Sequence, residues 1–560
     1  MSNGMIRILA RITQDLRGLT SKAMQDWQDI GTAVAGSVVR DVDEKVHLDQ
    51  RGRHEIEKAG EGLTAPKRMG ECADEVARSG SRPARAEFGS SFPVAGHRPR
   101  HLGLSLPEDS PITADERGFA AEAVTKLKDR YGPAANVNRL VSRIEPDEVV
   151  TASRARATQN ARWWDTLSEH ERSAMVRVRP HLIGNTDGIP YAVRDRANRL
   201  SITRDLERYL GQRPTGGQRR SGLTRAELAH LRNIVRTRDH LAIIEHQARA
   251  IGARDVQVMA YNPRAYGGNG RVAVSIGDAD RAEIVTRHIG GFGTTLRSLE
   301  YRSTFVCNEW EVTTRYAGHD RAAAIIDIGY HHPISVVPPE PAKPLFAEVG
   351  GYVVARDVAS YNATREATSN LPNGAVTPRL HTLLGHSYGS TTVCYAGDGG
   401  RLAGEIDQVV LSGSPGAGPL THAADFGIGT ENVYVLAAHR DPITALGAET
   451  TAGQGRFLGT GLGLDPANAR FDAIRVAAEP PHTPAFGSRL QIHQGYNSFA
   501  DPQTREPTEA LHNIGLIASG RGDEAVRVVH RPAVDTPTLR HRIGTLPVDP
   551  EQTRVARRPQ

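Results

Sequence analysis

The sequence predicts an α/β fold, in which a mostly parallel central sheet is covered by helices on both faces and preceded by a helical region. Three observations predict it. Apolar runs of strand length recur at residues 256–260, 272–276, 284–289, 323–328, 380–384, 409–411, 433–436 and 473–476. The first two are joined by the turn-rich stretch 263–270 and read as an antiparallel pair, whereas helical or loop crossovers separate the later ones, as parallel strands require. The run at 380–384 also passes directly into a glycine-flanked turn, Gly385-His386-Ser387-Tyr388-Gly389, after which Ser390 to Tyr395 open a helix.

In chain order, residues 1–77 alternate charged residues with apolar ones at helical spacing, as at Leu16, Leu19, Met24, Trp27 and Ile30, and read as one or two helices. Residues 78–111 are rich in Arg, Pro, Gly and Ser without periodic apolar positions and read as a flexible linker. A helical region follows over 112–253. Within it Ser168-Glu169-His170-Glu171 forms a capping box, and Thr224-Arg225-Ala226-Glu227 forms another that opens a long helix through Leu228, Leu231, Ile234, Leu241 and Ile244. The adjacent Trp163 and Trp164 are read as core or interdomain packing rather than a ligand site. The sheet domain spans 254–520; Pro338 to Pro344 within it read as a rigid spacer, with a lid hinge as the alternative. Residues 521–560 are again Arg- and Pro-rich and read as a flexible C-terminal tail.

Gly385-x-Ser387-x-Gly389 has the form of a nucleophile elbow, a strand-to-helix turn so sharp that glycines must flank the serine, and it narrows the expected fold to that of an α/β-hydrolase. A bare motif of this kind also occurs in ordinary glycine-rich loops; the strand before it and the helix after it set this one apart. An elbow serine needs a histidine to take its proton and a carboxylate to orient the histidine, in the order serine, acid, histidine. Asp441 follows the strand at 433–436 in His439-Arg440-Asp441-Pro442 and is the candidate acid; a turn-initiating Asp-Pro corner is the alternative. His493 is the candidate base, read in a loop before a terminal helix over 508–519. His482, in a proline-rich loop, and His512, inside the last helix pattern, compete with it, while His386 is expected to point away from the chemistry as a packing or hydrogen-bonding residue. An oxyanion hole would combine the backbone N–H of Tyr388 with the segment Gly291, Phe292, Gly293 and Thr294 after the strand at 284–289. A phosphate cradle is disfavoured there, because no Gly-Lys-Ser/Thr follows.

These and further blocks resemble a known family. Trp163-Trp164-Asp165-Thr166-Leu167, the long block Pro180-His181-Leu182-Ile183-Gly184-Asn185-Thr186-Asp187-Gly188-Ile189-Pro190, Arg194-Asp195-Arg196-Ala197-Asn198, the elbow, Gly413-Ser414-Pro415-Gly416, Asp441-Pro442, and His493 with Tyr496 are together similar to the actinobacterial α/β-hydrolases catalogued as a domain of unknown function. The resemblance covers roughly residues 155 to 520 and implies a hydrolase fold with a helical region ahead of it, without an assigned substrate. The chain departs from that pattern at Asp327, where an apolar or aromatic residue is expected, and in the following His331-His332 pair.

Composition narrows the function further. A net charge of +5 over 560 residues, with acids interspersed among the arginines, reads as a solvated surface and not a nucleic-acid stripe. The three cysteines, Cys72, Cys307 and Cys394, show no C-x-x-C spacing, which suggests neither a disulfide framework nor a zinc site and fits a reducing compartment. His331-His332 has no third ligand at useful spacing, so no metal is expected, and no cofactor is needed. No run of about 18 apolar residues occurs, so no transmembrane segment is expected; a cytoplasmic location is the reading, with export lacking a cleaved signal left open. The function that follows is hydrolysis of an ester or related acyl bond, on a small-molecule or lipid substrate, through a covalent acyl-enzyme. The alternative is a scaffold built on a vestigial hydrolase domain, whose N-terminal helices bind a protein partner.

Overall fold

The structure, a computed structural model, describes residues 112–131, 148–210, 224–334, 344–369, 376, 378–447, 462–481, 488–532 and 549–556. The helices expected over 1–77, the linker at 78–111 and the proline spacer from Pro338 up to residue 343 lie outside the described residues, and of that spacer only Pro344 is described.

Among the described residues five helices of ten or more residues precede the sheet: α1 (Ala114–Tyr131), α2 (Val149–Asp165), α3 (Glu169–Val178), α4 (Tyr191–Leu210) and α5 (Arg225–Ala250). Both capping boxes are made: Ser168 and Glu171 close the first turn of α3, and Thr224 and Glu227 that of α5. Each satisfies two backbone donors that a helix start leaves open. Trp163 and Trp164 are both buried, in one cluster with Met175, Ile183 and Ile189. Along α5 the buried Ile234, Leu241, Ile244 and Ala248 keep to one stripe, which packs with Val258, Val272 and Val274 of the sheet.

The central sheet has eight strands: β1 (Val256–Asn262), β2 (Arg271–Ile276), β3 (Ile284–Ile289), β4 (Ala322–Ile328), β5 (Leu380–His386), β6 (Gln408–Ser412), β7 (Val433–Leu436) and β8 (Ile474–Val476). Their spatial order is β1-β2-β4-β3-β5-β6-β7-β8. The pairs β1/β2 and β2/β4 are antiparallel, and every pair from β4 through β8 is parallel. Strands buried on both faces need no alternation with solvent-facing residues: every residue of β3 and β4 is buried, Thr286, Arg287, His288 and Asp327 included. Successive side chains still go to opposite sides. Leu383, Val409, Leu411 and Val435 share one core with Val353 and Val358 of helix α7 (Leu345–Thr368) and Val393 of helix α8 (Tyr388–Gly397). Leu384, Val410 and Leu436 share another with Ile514 and Ile517 of helix α10 (Glu509–Ala518).

Charge inside this core is answered locally. Asp327, on β4, is buried but stands 2.5 Å from the Arg287 guanidinium of the neighbouring β3, and Arg271 pairs with Asp357 of α7 at 2.9 Å. The carboxylate that breaks the family pattern is thus absorbed within the sheet. Among the described residues no helix is long and apolar enough to cross a membrane, and Cys307 and Cys394 are free and buried. Cys72 lies outside the described residues.

The flexible tail expected from residue 521 needs correction over 521–532 and 549–556. The Val528 N–H bonds to the Arg475 carbonyl, Arg531 is buried against Asp465 and Asp549 at 2.9 and 2.7 Å, and Arg554 holds Glu509 at 2.8 Å. Arg- and Pro-rich composition looks the same in a tail and in a brace whose partner acids lie far away in sequence.

Candidate active site

Ser387 sits between the end of β5 and the first turn of α8, with φ 58° and ψ −133°. A non-glycine residue pays about 1–3 kcal/mol for such a backbone, and the surroundings impose it. A Cβ on Gly385 would lie 2.5 Å from the Ser390 Cα, and one on Gly389 would run into the Ile289 carbonyl oxygen. The two glycines let the helix and β3 close on the turn, which leaves the serine side chain raised at the C-terminal edge of the sheet.

Three of the expected side chains come together there. The Ser387 hydroxyl is 2.9 Å from His493 Nε2, and His493 Nδ1 is 2.9 Å from Asp441 Oδ2. A carboxylate only accepts, so Nδ1 carries the proton and Nε2 of the neutral ring is left to accept from the serine. His493 and Asp441 are 7% and 2% exposed, so the pair works with little competing water. Asp441 also receives the Tyr496 hydroxyl on Oδ2 and the Ile443 N–H on Oδ1, both at 2.9 Å. Tyr496 in turn accepts the Ala438 N–H at 2.9 Å, and burial, followed by the neighbouring Asp441 charge, holds its phenol well above its usual pKa. The phenol therefore stays a donor.

His493 lies in the short helix α9 (Arg489–Gln494), not in a loop; Ser488 and Gln491 form a capping box at its start. His386 does not point away from the chemistry. Its Nε2 is 2.8 Å from the His493 carbonyl, which can only accept, and its ring centroid is 4.9 Å from that of His493. Burial, then the nearby His493 ring, pushes its pKa far below the usual value, so it acts as a neutral donor that pins the His493 backbone. His512 instead bonds Tyr316 at 2.6 Å, and His482 lies outside the described residues.

The expected oxyanion donors are only partly in place. Tyr388 is the first residue of α8, and a Cβ on Gly291 would lie 2.8 Å from both the Ser387 Cβ and the Tyr388 N. Gly291 thus has to be glycine for its backbone to reach the serine. The N–H groups of Gly293 and Thr294 are engaged elsewhere, with the Pro333 and Gly291 carbonyls at 2.9 and 3.3 Å. The candidates in this segment therefore narrow to Gly291 and Phe292.

Sequence reasoning missed the support around the acid. Gly413, at φ 58°, brings its backbone so close that a Cβ would stand 3.1 Å from His493 Cε1 and 3.2 Å from Asp441 Oδ2. Thr444 donates to the Asp441 carbonyl at 3.0 Å, and Arg531 donates to both the carbonyl and the hydroxyl of Thr444 at 2.9 Å. Gly413 and Tyr496 stood within blocks shared with the resembled family; nothing marked Arg531. Among the described residues no group of three or more His, Cys, Asp or Glu is placed to hold a metal ion. An open groove between Glu431, Asp472 and Arg527 flanks the start of β7 and β8, at the other end of the strands from Ser387.

The profile of a protein family described as alpha/beta hydrolase matches residues 266–452, which include Gly291, Ser387 and Asp441. Uncharacterized proteins from two strains of Mycobacterium tuberculosis are 32% identical over 386 residues, which is 65% of this chain and 55% of theirs. The chain thus spans about half the length of these curated relatives. An uncharacterized protein of Mycobacterium bovis is 26% identical over 245 residues, 42% of this chain and 83% of its own. A solved esterase of Pyrobaculum calidifontis aligns over 52% of this chain and 93% of its own, at 13% identity and a TM-score of 0.27, a likeness too slight to bear on chemistry. The chain carries an α/β domain related to alpha/beta hydrolases and to uncharacterized mycobacterial proteins.

Proposed function

We propose that the chain is a serine hydrolase that cleaves an ester or closely related acyl bond through a covalent acyl-enzyme, with Ser387 as nucleophile on an elbow, His493 as base and Asp441 as orienting acid. The observation that carries the reading is the continuous relay from the Ser387 hydroxyl through His493 to Asp441, with both steps at 2.9 Å. Ser387 Oγ bonds to the carbonyl carbon as its proton passes to His493 Nε2. The negative oxygen so formed is held by the N–H groups of Tyr388 and of Gly291 or Phe292. Collapse of this intermediate breaks the bond to the leaving alcohol, which takes the proton from His493. Water then repeats the sequence on the acyl-enzyme, releasing the acid and restoring the serine. The strained Ser387 backbone supports the reading too, because such outliers persist where the surroundings over-determine them for a task. A scaffold without activity would have no need of it.

A fluorophosphonate probe tests this directly: it should label the wild-type protein, and Ser387→Ala should abolish labelling while the protein stays folded. Equal labelling of both, or none of either, would return the scaffold reading. A series of p-nitrophenyl esters of increasing acyl length would then define the acyl pocket.

A further inference from the structure

Arg302 lies in the first turns of helix α6 (Leu299–Ala317) and is 9% exposed. A guanidinium so buried usually sits on a carboxylate, because the cost of removing a charge from water is otherwise not offset. Among the described residues no acid is paired with it: the groups that act against the effect of burial are Tyr301 and Tyr330, and its charge also bears on His332 and His386. Its hydrogen bond to the Phe292 carbonyl is long, at 3.5 Å, and its Nε has no protein partner. The Tyr301 and Phe305 rings lie 5.8 and 5.9 Å away, a weak substitute for an anion.

Other unanswered polar atoms gather at the same loop. The Thr294 hydroxyl and both ring nitrogens of His332 are buried without a hydrogen-bond partner. His332 stacks on Tyr330 at 3.6 Å between ring centroids, and Tyr330 bonds the Gly290 carbonyl at 3.0 Å. The Tyr330 and Gly290 carbonyls stand near the His332 ring without reaching hydrogen-bond geometry. A Cβ on Gly290 would be 2.6 Å from the Thr294 hydroxyl. All of this surrounds residues 290–294, the segment whose Gly291 backbone abuts Ser387. Burial, reinforced by the Arg302 charge, holds the His332 pKa down to about 3, so the ring is neutral and offers one N–H. The Arg302 Nε–H, the His332 N–H and the Thr294 hydroxyl are thus left unanswered, although the Gly290, Tyr330 and Phe292 carbonyls stand close by.

We propose that Arg302, with His332 and the Thr294 hydroxyl, forms an anion-binding subsite beside Ser387, which takes a carboxylate or phosphate carried by the ester that Ser387 cleaves. The proposal deepens the hydrolase reading and rests on it for the word substrate; the subsite itself rests on Arg302 and its neighbours. The ester that fits is a monoester of a dicarboxylic acid, or an ester with a phosphate near the scissile bond.

Two measurements test it. In the first, kcat/KM is compared for the p-nitrophenyl monoester of glutaric acid and for neutral p-nitrophenyl valerate. The wild-type protein should prefer the anionic ester by about 10- to 100-fold, the range of a charge-assisted hydrogen bond. Arg302→Met, which keeps length and loses charge, should bring the ratio to about 1, whereas Met at the exposed Arg238 should leave it alone. In the second, monomethyl glutarate and inorganic phosphate are titrated calorimetrically into the full-length Ser387→Ala protein, with and without Arg302→Met. Binding should weaken by a similar factor on loss of Arg302, and the tighter of the two probes names the anion. If Arg302→Met fails to fold, slowed fluorophosphonate labelling of the wild type by glutarate or phosphate serves instead. Normal hydrolysis with no preference and no binding would overturn the subsite and leave the hydrolase reading standing. Arg302-dependent binding in a protein that neither labels nor hydrolyses would keep the subsite and remove the hydrolase.

Discussion

Two buried arginines, one on each side of Ser387, make opposite arrangements with their surroundings. Arg531 lies behind the acid loop with two carboxylates, Asp465 and Asp549, and two oxygens of Thr444 within 2.7–2.9 Å. Arg302 lies behind the oxyanion loop with one carbonyl at 3.5 Å and no acid. Burial alone would lower both pKa values; at Arg531 the two carboxylates more than reverse this, and at Arg302 nothing does. The difference teaches how to read buried charge. Where a guanidinium is held from within the chain, the charge fixes geometry, here that of Asp441 through Thr444; where donors are left over, as at Arg302, the proposed answering group is the anion of a ligand.

The largest effect expected on this contrast comes from the answered side. His493→Ala should lower the acylation rate by about four to six orders of magnitude in single-turnover ester assays, as when one member of a cooperating triad is lost. A loss under tenfold would mean that the relay at 2.9 Å is structural. Next in size, Arg531→Met takes the cation from the buried Asp465, while Asp549 keeps Arg475 at 2.9 Å, and should cost about 3–5 kcal/mol in urea unfolding at pH 7. The matching Arg302→Met should leave stability unchanged or raise it. Equal losses at the two positions would erase the distinction between them.

Gly291→Ala acts at the boundary between the two sides. Its Cβ would stand 2.8 Å from the Ser387 Cβ and the Tyr388 N, so the loop must shift away from the serine. Acylation should fall by about 10²- to 10³-fold, the range for one lost oxyanion donor, with the melting temperature nearly intact. A stopped-flow burst at the wild-type rate would remove Gly291 from the oxyanion reading.

A pH experiment sharpens the unanswered side. Because burial holds the His332 pKa to about 3 in the fold, against an ordinary value of 6.5, the unfolded chain takes up a proton that the folded chain refuses. That stability is present above about pH 6.5 and is lost as pH falls toward 3, amounting to roughly 2 kcal/mol by pH 5. His381, also held to about 3 by burial, adds in the same direction. Guanidinium unfolding at pH 7 and pH 5 should show His332→Phe losing less stability on acidification than the wild type. An unchanged difference would mean that His332 is charged in the fold and stands as a second cation beside Arg302. The smallest effect expected is that of Tyr496→Phe, about 1 kcal/mol of stability for one hydrogen-bonding hydroxyl, read in the same unfolding experiment; no change would make its bonds to Asp441 and Ala438 incidental.

What was legible in the sequence was whatever local backbone rules dictate. The strands from 256 to 476 announce themselves because burial leaves runs rich in apolar residues, as at Val409 to Leu411 and Val433 to Leu436. Gly385 and Gly389 mark the turn at Ser387 because no side chain fits there. Asp441 was read as the candidate acid from its place after β7, and His493 as the candidate base from chain order, though its helical setting was missed despite the Ser488–Gln491 capping box. Illegible were the groups whose meaning lies in a partner remote along the chain. Arg531 needs Asp465, 66 residues away, and in isolation it is one more arginine in a basic stretch. His386 was read as a packing or hydrogen-bonding residue, but its place beside the site was not legible because its partner is the backbone of His493, 107 residues on. Arg302 carried no mark at all, since what sets it apart is the lack of an acid among its neighbours, and a neighbourhood is not written in one dimension.

The strand order has a consequence for how the protein comes to life. β3 lies between β4 and β5, so Ile284 faces Ala322 on one side and Leu380 on the other, and the loop after β3 meets Ser387 only once that second pairing has closed. Pairings so distant along the chain close slowly, after local helices have formed. During refolding, Ser387 would therefore gain its reactivity after helical signal has returned. A covalent serine probe added at intervals would act as a clock for the completion of the sheet, striking only when its middle strand is in place.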